Sequence, residues 1–261
     1  MSESILYAVA DGIATVTFNR PQVMNALDPA TILEFRAVSE RAKQDAQARV
    51  VVLRGAGPAF LAGGDVASFK VNLATFSRDV VGLAGELHRG VLALRRAPKP
   101  VIASVHGAVA GAGMSIMMAC DLVIAAEGTK FSMAYSRIAT SPDGGASWFL
   151  PRLAGYQKAM ELLLLAEAVD TTAMLSMGAI NRVVAAAELE AATMKLAQRL
   201  AAGPATAYAE TKALVNSQQK HTLTQHLDAE AQAFARCSAH ADFAEGVTAF
   251  VEKRKAVFKH D

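Results

Sequence analysis

Short, largely apolar runs, each followed by a loop and then a helical pattern, constrain this chain more than any other feature. Residues 50–53, 101–105 and 122–126 read as buried strands. A strand hidden on both faces belongs inside a parallel sheet. Strand, loop and helix in repeated order imply an α/β fold, a mainly parallel sheet with covering helices. Before them, residues 5–9 and 13–18 flank Asp11-Gly12, a hairpin signal. Pro29 opens an amphipathic helix in which Ile32, Phe35 and Val38 recur three apart and Ala42 follows. Residues 66–75 read as irregular, 76–96 as a long helix stopped before Pro98, 107–113 as a loop and 114–120 as a helix. Beyond about residue 189 only helical patterns remain. The expected division is a catalytic core over 1–195 and a helical oligomerisation region over 196–261.

Hydrophobic residues make up 52% of the chain and charged ones 19%, enough apolar material for a packed core. A net charge of +2 is too small to point to nucleic acid. Cys120 and Cys237 lack metal-ligand spacing, so reduced thiols and no metal are expected. The longest apolar stretches are broken by Asp121, Glu161 and Glu167, short of the ~20 residues a bilayer span needs. The first residues carry no basic segment followed by an apolar run. A soluble, cytoplasmic protein with no membrane partner is the expectation.

Two glycine-rich loops follow buried strands, the place where open α/β sheets bind ligands. One ends Ala62-Gly63-Gly64-Asp65 and the other is Gly107-Ala108-Val109-Ala110-Gly111-Ala112-Gly113. Neither is a dinucleotide fingerprint, because Ile116 stands at the third glycine position, and no Gly-Lys-Ser/Thr follows for a P-loop. Each loop alone is equally well explained by tight turns and close packing. Together they can supply two backbone N–H donors, one at a helix N-terminus, to a developing oxyanion. No nucleophile elbow is present, so enolate stabilisation fits better than acyl transfer to the protein.

The segments Asn19-Arg20-Pro21, Asn25-Ala26-Leu27, Ala59 to Asp65, Lys99 to Ala103, Gly107 to Gly113, Cys120-Asp121 and Glu245 to Lys255 resemble the enoyl-CoA hydratase/isomerase (crotonase) superfamily in order and spacing. The resemblance covers essentially the whole chain. It implies a crotonase-like core and an acyl-CoA thioester substrate, with coenzyme A part of the substrate and no separate cofactor. The thioester oxygen would be gripped by the N–H groups of Ala62 and Ala112. Met24, Ala26, Gly63, Gly64 and Asp65 would line the CoA path, although Asp65 reads equally well as a helix cap. Phe234 and Lys253 match positions that reach the CoA of a neighbouring subunit in a trimer or a dimer of trimers.

Hydratases of this superfamily carry two glutamates where this chain has Ser115 and Tyr135. Neither is a ready base near neutral pH. Ser115 reads locally as a capping or packing hydroxyl and Tyr135 as a pocket wall or donor. One carboxylate remains, Asp143 in Ser141-Pro142-Asp143-Gly144-Gly145, which is also ordinary turn chemistry. The resemblance gives Asp143 a role, since isomerases of the superfamily place an aspartate there and one carboxylate suffices for a double-bond shift. The 4-chlorobenzoyl-CoA dehalogenases use an aspartate at the same place as nucleophile, with a histidine at the position of His88, otherwise a polar residue on a long helix. Isomerase is the leading expectation; dehalogenase-like hydrolase and hydratase follow. A non-catalytic acyl-CoA binder is the reading from another class, and Asp143 argues against it.

Overall fold

The computed structural model describes residues 3–71 and 73–259. Strands β1 (Ile5–Ala10) and β2 (Ile13–Phe18) form the expected hairpin, with Asp11 and Gly12 in the left-handed conformation its turn requires. β2 then pairs in parallel with β3 (Val50–Gly55), β3 with β4 (Val101–Val105), β4 with β6 (Leu122–Ala126) and β6 with β8 (Arg182–Val184). The sheet order is β1-β2-β3-β4-β6-β8. A second, two-stranded parallel sheet joins β5 (Ala108–Ala110) to β7 (Lys130–Ser132).

The period-two geometry of strands sorts the apolar runs between two cores. Val51, Leu53, Val101, Ala103, Val105, Val123 and Ala125 face one. Val50, Val52, Ile102, Ile124 and Ala126 face the other. The first core is closed by α1 (Pro29–Gln44), capped by Asp28, whose side chain accepts from Thr31 N–H at 2.8 Å. Against α1 lies α3 (Leu73–Arg96), where Gly90 lets the helices close: a Cβ there would stand 2.6 Å from the Phe35 ring. Beneath them runs α4 (Ala112–Ala119), buried along its whole length. Then come α5 (Ala146–Ala154), α6 (Tyr156–Leu165) and α7 (Thr171–Ser176). The second core is closed by α8 (Leu189–Ala201) through Leu189, Leu196, Ala197 and Ala201. The chain ends in α9 (Ala205–Ser217), α10 (Leu223–Ser238) and α11 (Ala241–Val251).

Two expectations need correction. The stretch 66–75 is not irregular: α2 (Val66–Val71) occupies its start and α3 begins at Leu73. The loop 107–113 contains β5, and the helix after it starts at Ala112. The division at 195/196 falls inside α8, whose Leu189, Leu196, Ala197 and Ala201 belong to the second core. Among the described residues, no helix is long and apolar enough to cross a membrane.

Candidate active site

The loop after β3 is sewn to the segment before α1. Asn25, buried and left-handed (φ 61°), sends its side-chain amide to the carbonyls of Ala56, Ala59 and Phe60, at 3.0, 2.8 and 3.2 Å. Ala62 N–H donates to Met24 O at 3.0 Å, Leu27 N–H to Gly63 O at 2.8 Å, and Asp65 N–H to Leu27 O at 2.9 Å. This zipper consumes the N–H expected to grip a thioester oxygen, that of Ala62. The loop N–H groups left without an acceptor among the described residues include those of Gly63 and Gly64. Asp65 serves locally: Oδ1 accepts Ser68 N–H at 3.3 Å on the first turn of α2, and Oδ2 lies 3.5 Å from Arg20, which also pairs with Asp28 at 2.9 Å.

The second loop packs on the first, backbone to backbone. Leu61 N–H donates to Ala108 O at 3.3 Å, and Ala110 N–H to Leu61 O at 3.0 Å. Gly113 carries no Cβ because one would overlap Leu61 O. A Cβ on Gly63, left-handed at φ 101°, would be 3.6 Å from Ala112 N. Ala112 opens α4, and its N–H, at the positive end of the helix, also has no acceptor among the described residues. Unspent N–H groups from both loops therefore meet where the loops touch.

One turn further along α4 sits Ser115, and around it the other polar candidates gather. Tyr135 O–H donates to Asp143 Oδ1 at 2.7 Å. Ser115 Oγ lies 3.0 Å from Tyr135 Oη and 3.0 Å from Asp143 O. Burial, and then the neighbouring Asp143 charge, push the Tyr135 phenol well above its usual range, so it stays a donor. The Asp143 turn runs through Gly144 (φ 59°) and Gly145 (φ 90°), and a Cβ on Gly144 would stand 2.8 Å from Ser115 Cβ. Only glycine combines that backbone with that contact. His88, on α3, accepts Gly144 N–H on Nε2 at 3.2 Å.

A half-buried, tyrosine-held carboxylate fastened to Ser115, one turn along α4 from the free Ala112 N–H, suits chemistry at a carbon next to a polarised carbonyl. The sequence profile of the enoyl-CoA hydratase/isomerase family matches residues 8–261. This chain belongs to that family. It is 38% identical over 258 residues to a "Probable enoyl-CoA hydratase" of Rhodobacter capsulatus, covering 98% of this chain and 97% of the relative. It is 35% identical over 260 residues to a "1,2-epoxyphenylacetyl-CoA isomerase" of Escherichia coli, covering 99% of each. A solved enoyl-CoA hydratase from Polaromonas superposes with a TM-score of 0.93 at 33% identity, covering 98% of this chain and 99% of that one. These relatives bear both hydratase and isomerase names.

In this family member, Asp143, Tyr135, Ser115 and His88 converge on one turn, and Ala112 meets the Gly63-Gly64 pair where the two loops touch. Met24, half-exposed and left-handed (φ 51°), and Ala26, whose carbonyl Arg20 holds, border the first loop. Phe234 and Lys253 are not brought there. The Phe234 ring packs edge-on to Phe243 at 6.2 Å, and Lys253 N–H closes a turn on Phe250 O at 3.2 Å. Phe69 went unread in the sequence: a Cβ on Gly64 would lie 2.7 Å from its ring. Nothing in the local pattern marks it, because α2 itself reads as irregular. Among the described residues, no cluster of three or more His, Cys, Asp or Glu could hold a metal.

Proposed function

We propose that this acyl-CoA enzyme moves the double bond of an enoyl-CoA, or carries out a related proton shift, with Asp143 as its base. The observation that carries the reading is the hydrogen bond from Tyr135 to Asp143 Oδ1. It aims the one carboxylate of the cluster and leaves Oδ2 for the substrate. The carboxylate takes a proton from C2 of a 3-enoyl thioester, and the electron pair moves onto the thioester oxygen. The N–H groups of Gly64 and Ala112 hold the resulting dienolate. The protonated Asp143 returns the proton at C4 and the 2-enoyl thioester leaves.

Hydration by two glutamates has no counterpart here, because Ser115 and Tyr135 supply hydroxyls. The isomerase name of the Escherichia coli relative agrees with this reading. A dehalogenase-like role for His88 would need a free imidazole nitrogen on the substrate side, and Nε2 is taken by Gly144. Met24, Ala26 and Gly63 would border the CoA path. The assembly would be a trimer or a dimer of trimers, with Phe234 and Lys253 reaching a neighbour's CoA. A panel of 2- and 3-enoyl-CoA thioesters tests the reading. Isomerisation of 3-enoyl-CoA is expected to outpace hydration of crotonyl-CoA, and efficient hydration would sink it.

A further inference from the structure

The Asp143 turn is fastened at four points. Tyr135 holds the carboxylate at 2.7 Å, Ser115 Oγ and Ala146 N–H hold the Asp143 carbonyl at 3.0 and 3.1 Å, and His88 Nε2 holds Gly144 N–H at 3.2 Å. Three of the fasteners keep their protons at any working pH. The fourth is an imidazole, and the bond fixes its state: Nε2 must be bare to accept an N–H, so a neutral His88 carries its proton on Nδ1. A protonated imidazole has N–H at both nitrogens and turns a donor towards the Gly144 donor. The turn it would release contains two successive left-handed glycines, and few other backbone bonds hold them.

We propose that His88 is a positioning residue: its neutral form clamps the Asp143 turn through Gly144 N–H, and proton transfer by Asp143 requires that His88 be unprotonated. The proposal rests on the reading of Asp143 as the base. The charged residues beside His88 on α3, Glu86 and Arg89, pair with each other. Its neighbours one turn away on α3 are Ala84, Gly85, Val91 and Leu92, and α4 has no ionisable side chain. From α1, Arg36 is engaged by Glu86; from α2 there is Lys70; from α5, Arg152 is taken up by Trp148 and Gln219. Asp143 and Tyr135 are the ionisable groups at the turn itself.

The sign follows directly. Protonation of the His88 imidazole removes the acceptor for Gly144 N–H, and the turn loosens. Turnover should therefore drop towards acid in a way that depends on His88, with KM moving less than kcat. His88→Gln puts an acceptor that does not titrate near the place of Nε2, and His88→Leu removes it. His88 is exposed, so both variants should fold, which circular dichroism checks.

Two measurements decide the matter. Imidazole 15N NMR of the free protein at pH 8 should show the Nδ1–H tautomer at His88; the Nε2–H tautomer would overturn the clamp whatever the enzyme's substrate. Profiles of kcat against pH, taken with a 3-enoyl-CoA, should show an acid limb in the wild type that is missing in His88→Gln. At pH 8 His88→Leu should lose roughly 10-fold or more in kcat, within the ~100-fold a misplaced group can cost, and His88→Gln should recover most of that loss. An acid limb unchanged in His88→Gln, or a wild-type kcat in His88→Leu, overturns the positioning role. Absence of turnover with every 3-enoyl-CoA would instead fail the isomerase reading, and the tautomer would still decide the bond.

Discussion

Tyr135 has one proton to give, and it goes to Asp143 Oδ1, so the two oxygens of Asp143 are not equivalent. One is an anchored acceptor and the other is available to remove a proton. Asp143→Asn keeps the volume and the turn but deletes the base. Turnover should fall at least ~100-fold, the lower end for general acid–base catalysis, with thioester affinity nearly unchanged by calorimetry. Wild-type turnover in that variant would refute the assignment. A different residue controls the donors. Gly113 admits no Cβ because Leu61 O occupies the space, and Leu61 belongs to the loop that carries Gly64. Gly113→Ala must push the loops apart, at a cost of about 1–3 kcal/mol for overpacking. Turnover should fall more than the stability loss explains, since both N–H groups move; urea unfolding with kinetics at equal folded fraction would separate the two. A variant with unchanged stability and rate would show that the loops are not tightly coupled.

Elements were legible where burial is uniform and illegible where it is shared. The runs that became β3, β4 and β6 are largely apolar on both faces, and Pro29 and Asp28 mark the start of α1 by known capping chemistry. β5, β7 and β8 span three residues each, too short for any periodicity. The boundary at 195 falls within α8, which carries the same helical pattern as the helices after it; only its packing against the sheet separates them. At the site, the residue types of the Ser115, Tyr135 and Asp143 cluster could be named from sequence. Which loop N–H groups stay free could not, because that depends on Met24 O, 38 residues earlier in the chain, capturing Ala62 N–H. α9 has no fully buried residue, yet it is pinned to α3 by Asn216, which donates to Arg95 O at 2.8 Å, and more deeply by a lysine. Lys212 donates to Asp121 at 2.6 Å, Leu94 O at 2.9 Å and Lys99 O at 3.1 Å. Burial presses its ammonium below the usual range while Asp121 opposes that shift. Lys212→Met strands a carboxylate that Arg95 only partly compensates, at 3.7 Å. The loss should be roughly 2–4 kcal/mol, a little under the usual cost of breaking a buried pair. A urea midpoint unchanged from wild type would mean that α9 is held by its other contacts alone.

At the scale of the whole molecule, the two halves of the chain treat apolar residues differently. The sheet and its covering helices bury theirs, whereas α10 and α11 leave Leu223, Phe234, Phe250 and Val251 largely in solvent. Phe250 is 85% exposed, far from what a single soluble chain gains by keeping a phenylalanine there. A surface of this kind is stable when a second copy covers it, which is the assembly proposed above. Phe250→Asp touches no core of the single chain, so it should leave the fold intact and shift sedimentation towards the monomer. Unmodified protein that sediments as a stable monomer at micromolar concentration would defeat the assembly directly. The same variant tests what the assembly does. Lys253 is exposed, sits in a left-handed turn, and has no acidic partner among the described ion pairs. A cation held that way is available to a phosphate of CoA on a neighbour. Lys253→Ala should then weaken binding of a CoA thioester, measured by calorimetry, when the protein is assembled. In the Phe250→Asp background, where no neighbour presents its CoA, the same substitution should have little further effect. Equal losses in both backgrounds would place Lys253 on its own subunit's ligand or on none, and the neighbour contact would fall while the base at Asp143 stood untouched.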